Sequence, residues 1–260
     1  MGDMEQVLRA KLAQPKAYTD TEVAWLCAHI GDPNPAVRDG LVYETLCAGV
    51  ERHAFTRAQM QTFATYSVDH DLVMTDIKHN GDVTVTRTFA ALLNVVLLDA
   101  NLHDYADFLT PAQLEYLLTR APEYLRAETD WRGYDPQLGW VHALAHGADY
   151  LGVCTSYPAN AASQILPLFT DIFLGAQTAF GDGEPARLAM VLYLALQNKQ
   201  LTQTVVAQWL KTMQPQLRDD AHHFGSYGVQ QLITHLFVVL ATDNALTDEL
   251  RTTIQDGIWG

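Results

Sequence analysis

Apolar residues recur along this chain at intervals of three and four, not in alternation, which is the pattern of helices that each bury one face. Val7, Leu8 and Leu12 form a first short stripe. Asp20 precedes a second helix through Trp25 and Leu26, expected to end near Gly31. Pro33 and Pro35 then break the chain, and Val37, Leu41, Val42 and Leu46 mark the buried face of the next helix. Thr56 caps a run through Phe63 towards Tyr66. The turn at 79–82 opens a long buried helix over 83–98, ended by Asp99-Ala100-Asn101. Thr110, with Pro111 at the first helical position, starts another helix. Pro122 is expected to open a separate short one over 123–128. Beyond Pro158, helices are expected over 161–174, 186–196 and 202–213. Asp219 or Asp220 is expected to cap one over 221–241, and Thr247 to open a last one ending near Trp259.

The total is about a dozen helices joined by short loops, with no strand set. This predicts an all-α chain, one domain over 1–260, built as a right-handed α/α superhelix of the HEAT or armadillo kind, with a closed α/α toroid as the alternative. Asp32-Pro33-Asn34-Pro35 followed by Val37-Arg38-Asp39 resembles the junction inside a HEAT repeat, where the Asp caps the second helix and the Arg crosses to a neighbouring turn. No clean fixed period extends through the rest of the chain.

Composition narrows the function classes. With 260 residues, 48% of them hydrophobic, the chain can bury a sizeable core. Its net charge of −14 repels phosphate backbones and anionic bilayers, so nucleic acid and membrane are not expected as partners, whereas a cationic partner or a metal suits it. Cys27, Cys47 and Cys154 lack metal-site spacing and read as buried thiols of a reducing compartment. No secretory signal opens the sequence, and the longest apolar runs, at 89–98, 188–196 and 236–241, fall short of the roughly 20 residues of a membrane span. A soluble cytoplasmic protein is expected.

Chemistry concentrates at 128–152, which reads as a tight polar loop followed by a helix. On that helix Trp140, Leu144, Gly147 and Leu151 would share one side, and His142, His146 and Asp149 the other. Two imidazoles four residues apart and a carboxylate one turn on suit a divalent metal such as zinc. Asp130 and Asp135 could add a ligand or orient a ring N–H. Glu128 is a candidate general base, and Arg132 could clamp an anion. This set describes a metal-assisted hydrolase. The Glu that follows the first His in zinc proteases is absent, since Ala143 stands there. A structural reading uses the same residues differently: Asp130 and Asp135 cap the helix, Arg132 bridges a carboxylate, and the histidines lock loop to helix. A third reading is a binding or scaffold protein whose groove takes a protein or peptide, with Trp131, Tyr134 and Tyr150 as aromatic anchors and Asp135 beside them.

Elsewhere, the adjacent His70-Asp71 reads as a helix end, and His235, among Leu232, Ile233 and Leu236, as a core histidine. Phosphate-binding glycine loops, nucleophile elbows and Cys-x-x-Cys pairs are absent.

Asp130, Arg132, Gly133, Gly139, Trp140, His142, Ala145, His146, Gly147 and Asp149 together resemble the motif of a bacterial family known as domain of unknown function 2785 (DUF2785). Glu184 and Arg187-Leu188-Ala189 resemble a second feature of that family. The resemblance implies a helical bacterial cytoplasmic protein and brings no activity. Trp140, His146-Gly147 and Gly152 are also similar to the His-Gly signature of lanthionine-cyclase-like toroids. Those enzymes hold zinc through separated cysteines, and here only Cys154 lies nearby.

Overall fold

The computed structural model describes residues 2–14, 16–158, 162–218 and 220–259. It is mostly helical and divides into two compact units, Met1–Tyr150 and Leu151–Gly260.

In the first unit the helices are α1 (Asp3–Ala13), α2 (Asp20–Ala28), α3 (Pro35–Val37), α4 (Glu44–Glu51), α5 (Arg57–Asp69), α6 (Asp82–Leu102) and α7 (Pro111–Ala127). A π-helical turn, Arg38–Tyr43, joins α3 to α4. Each helix packs on the next but one: α1 on the π turn and α4, α2 on α5, α4 on α6, and α5 on α7. Two layers result, one of α1, α3–α4 and α6, the other of α2, α5 and α7.

Threonine caps set several helix starts. Thr19, Thr56 and Thr110 accept from the backbone N–H of Glu22, Gln59 and Gln113, and those three side chains accept from the threonines' own N–H groups. The second helix is therefore capped one residue earlier than expected, by Thr19. Pro122 does not start a new helix. It lies inside α7, where its missing N–H forfeits one bond to the carbonyl four residues back while the helix continues.

After α7 comes a two-stranded antiparallel ladder, β1 (Tyr134–Asp135) and β2 (Gly139–Trp140), which the helical reading of the chain omitted. Helix α8 (Ala143–Cys154) follows and crosses the division between units.

The second unit holds α9 (Ala162–Leu174), α10 (Glu184–Gln197), α11 (Gln203–Gln216), α12 (His223–Thr242) and α13 (Asp248–Trp259). The same alternation recurs, with α9 on α11, α10 on α12 and α11 on α13. Thr202 caps α11. Pro185 sits in the first turn of α10, where its lack of an N–H is harmless. The start of α12 differs from expectation: Asp220–His222 form a 3-10 turn and α12 begins at His223, so Asp220 is not its cap. The alternative cap, Asp219, and the expected helix start Ala161 lie outside the described residues.

Helices α6 and α12 are long and apolar enough to cross a membrane by length and composition alone. Unbroken apolar runs do not mark them, because threonine, arginine and asparagine interrupt α6 and glutamine, threonine and histidine interrupt α12. In α6, 78% of the most apolar window is buried, the position of a core helix.

Candidate functional site

The loop between α7 and α8 begins at Glu128, whose side chain is buried and saturated. Arg87 of α6 donates from Nε to Oε2 at 2.7 Å and from Nη2 to Oε1 at 3.0 Å. Oε1 also accepts the backbone N–H groups of Thr129 and Asp130, both at 2.9 Å. Arg87 is itself fully buried, and its Nη1 holds the carbonyls of Thr75, Asp76 and His79. One guanidinium thus joins α6, the turn before it and the start of the loop.

Asp130 forms the next layer. Its Oδ1 and Oδ2 accept from Arg132 Nε at 2.8 Å and Nη2 at 2.6 Å, and Thr84 Oγ1 donates to Oδ2 at 2.7 Å. Burial acts to raise the Asp130 carboxyl, but the bonds from Arg132 and Thr84 outweigh it and hold the group below its ordinary value. Those bonds to Asp130 in turn raise Arg132. Arg132 Nη1 reaches Asp135 Oδ2 at 2.7 Å. The other Asp135 oxygen takes the N–H groups of Gln137 and Leu138, which close the hairpin turn and lower its carboxyl. Asp130 and Asp135 therefore hold the loop and do not cap α8.

The hairpin packs inward through Leu138 and Val141, which bury against Val85 of α6. Gly139 has φ +74°, and a Cβ there would lie 3.0 Å from Pro35. Arg38 passes below. Fully buried, it donates from Nη2 to the carbonyls of Leu138 at 2.7 Å and Trp140 at 3.4 Å, and from Nη1 to Asp32 O at 3.0 Å. Its guanidinium lies 4.6 Å over the Phe89 ring. The arginine expected to cross to a neighbouring turn reaches the turn at Asp32 and also a loop 100 residues away. Asp39 caps nothing: its Oδ1 lies 2.8 Å from Arg38 Nε, and Asn34 accepts the N–H of Ala36 at the start of α3.

An aromatic series runs along this frame. Tyr134 and Trp140 are cross-strand partners with centroids 5.0 Å apart, edge to face. Trp140 stacks on His142 at 4.4 Å and 3°. His142 lies 5.6 Å from His146, which meets Phe89 edge-on at 5.3 Å. Tyr134 and Trp140 are exposed, 56% and 45%. Trp140 thus stands in β2, not on a helical face with Leu144. His142 precedes α8 with φ +48°, and its N–H donates to Arg132 O at 3.1 Å. Gly147 lets α8 approach α7, since a Cβ there would lie 2.5 Å from Leu125.

Among the described residues, no three of His, Cys, Asp and Glu come together so as to hold a metal ion. His142 and His146 are neighbours, but Asp149 does not complete a ligand set with them. Tyr150 is no surface anchor: it is fully buried, and its hydroxyl donates to Leu117 O. Trp131 is half-buried and donates its indole N–H to Glu128 O at 3.1 Å. In the second unit, Glu184 is buried and accepts the N–H of Asp182.

A family model matches residues 73–237, which include this whole loop. The chain belongs to that family, described as "Protein of unknown function (DUF2785)". No curated protein and no solved structure matches. Within the DUF2785 match lie Arg87, Glu128, the carboxylates paired with Arg132, and both histidines; Arg38, the second clamp, lies before it. Sequence reasoning overlooked Arg87 and Thr84 because their partners lie more than 40 residues away. Asp135-Pro136 followed by Gly139 was the one local sign of a hairpin.

Proposed function

We propose that this DUF2785 member is a binding protein built on a HEAT-like α/α superhelix, and that it takes a basic protein or peptide segment on the Tyr134–Trp140 platform. The layered packing of each helix on the next but one supports the superhelical reading within each unit. The observation that carries the binding reading is the exposed aromatic pair on a hairpin whose backbone is held by buried Arg38, at the end of a loop whose start is held by buried Arg87. A rigid aromatic surface loses little entropy on binding and is the kind of feature that anchors partners. The net charge of −14 favours a cationic partner, whose Lys or Arg can lie on the open ring faces. The hydrolase reading is less well supported, because Glu128 is bonded to Arg87 and to backbone N–H groups, and Asp130 and Arg132 are bonded to each other, to Thr84 and Asp135 and to the backbone.

Selection of phage-displayed random peptides on the purified protein tests this. Enriched peptides should carry Lys or Arg and lose binding to a Tyr134→Ala, Trp140→Ala double variant whose circular dichroism and Tm match the wild type. Peptides that bind both proteins equally would remove the platform from the proposal, and acidic or neutral peptides would remove the charge argument.

A further inference from the structure

Away from the loop, α4 and α6 enclose a surface hollow of about 400 Å³, within the range of small-molecule pockets. Its floor is apolar: Tyr43, Cys47 and Val50 from the α4 side, Val95 and Val96 from α6. Its remaining lining residues are all acids, Glu51, Asp99 and Asp104. The basic groups on these carboxylates are imidazoles. His103 Nδ1 lies 3.2 Å from Asp99 Oδ1, and His53 Nε2 lies 3.8 Å from Asp104 Oδ1. The nearby arginines are directed elsewhere. Arg52 Nη1 donates to Leu12 O, and Arg57 donates to the carbonyls of Tyr105, Ala106 and Asp107.

An apolar floor under a purely acidic rim selects for a ligand with two parts, an alkyl body and a cationic head. We propose that the α4–α6 hollow binds a small primary alkylamine in its ammonium form, alkyl chain against Val50, Val95 and Val96, ammonium among Glu51, Asp99 and Asp104. The half-exposed rim lets the ammonium keep part of its hydration, so the carboxylates attract it without the full cost of burying an ion pair. An alcohol of the same length would bind only through its chain, and a carboxylate would be repelled. This site is independent of the aromatic platform and of the reading placed on it.

Cys47 in the floor supplies a reporter, because Cys27 and Cys154 are buried. The experiment follows alkylation of Cys47 in the full chain by iodoacetamide, with mass spectrometry, at pH 7.5 and fixed ionic strength, in the presence of n-hexylamine, 1-hexanol or hexanoate. Hexylamine at twice its dissociation constant should slow the reaction about threefold, the factor 1 + [L]/Kd. Hexanol should protect more weakly and hexanoate not at all. An Asp99→Asn, Asp104→Asn variant should cut the protection by hexylamine to about the level that hexanol gives and keep the unprotected rate; Glu51→Gln, at an exposed position, makes the same comparison if the double variant does not fold. Methyl NMR shifts of Val50, Val95 and Val96 read the same occupancy without the thiol. Equal protection of the wild type by hexanol and hexylamine, hexylamine protection undiminished by the rim substitutions, or methyl shifts that stay still with hexylamine would each overturn the proposal.

Discussion

Arg87 and Glu128 meet fork to carboxylate in the protein interior, with two hydrogen bonds at 2.7 and 3.0 Å. Neither side chain reaches solvent to any extent, and each also holds backbone groups of a separate segment. Removing one partner leaves a buried charge and stranded donors, so Glu128→Gln should cost about 3 kcal/mol or more in urea unfolding. Arg87→Met with Glu128→Leu should cost less than the sum of the single changes. Additive losses would mean that the two residues act separately.

Asp130 makes stability depend on acid. Its carboxyl is held below the ordinary value of 3.8 in the folded chain. The unfolded chain therefore binds the proton first, and the stabilisation is complete above that value. It is lost as pH falls from about 3.8 through the lower folded value. Asp130→Asn should be less stable than the wild type at pH 7, and its stability should fall less steeply with acid below pH 4. Parallel stability–pH curves would show that Arg132 and Thr84 do not favour the charged form.

His142 stands at φ +48°, where a Cβ crowds the backbone and glycine does not. Both His142→Gly and His142→Ala lose the stacking on Trp140, so comparing them isolates the backbone. The glycine variant should be the more stable by about 1 kcal/mol in thermal unfolding. Equal stabilities would mean that the loop relaxes out of the left-handed region.

The thiols should separate by reactivity. Burial pushes Cys27 up to about 12 and Cys154 further, and raises Cys47 as well. Only Cys47 is half-exposed. At pH 8 a disulfide reagent should modify Cys47 slowly in the native protein and reach the other two only after denaturant is added. Simultaneous modification of all three would contradict the packing around α2 and α8.

Local chemistry was legible and distant pairing was not. Thr56 and Thr110 announce their helices because a cap needs only the residue three positions on. Pro122 misled because a proline inside a helix differs from one at its start only in what surrounds it. Arg38 and Arg87 gave no sign of their targets: the loop carbonyls and Glu128 lie far along the chain, and folding alone brings them near. Tyr150 looked like an anchor because it sits in a polar stretch, yet its ring faces inward and its hydroxyl satisfies a carbonyl of α7.

The π-helical turn Arg38–Tyr43 sets a phase. A π turn carries an extra residue compared with an α turn, so the side chains on either side of it are offset by roughly the 100° that one residue subtends. From the first position of the turn Arg38 reaches the hairpin, and beyond the turn Cys47 lines the hollow against α6. Deleting one residue here would restore continuous α geometry without opening a gap, yet it would swing one of those two side chains off its target. In aligning or grafting this segment, a one-residue length change matters more than most substitutions, because it re-aims one whole side of the helix relative to the other.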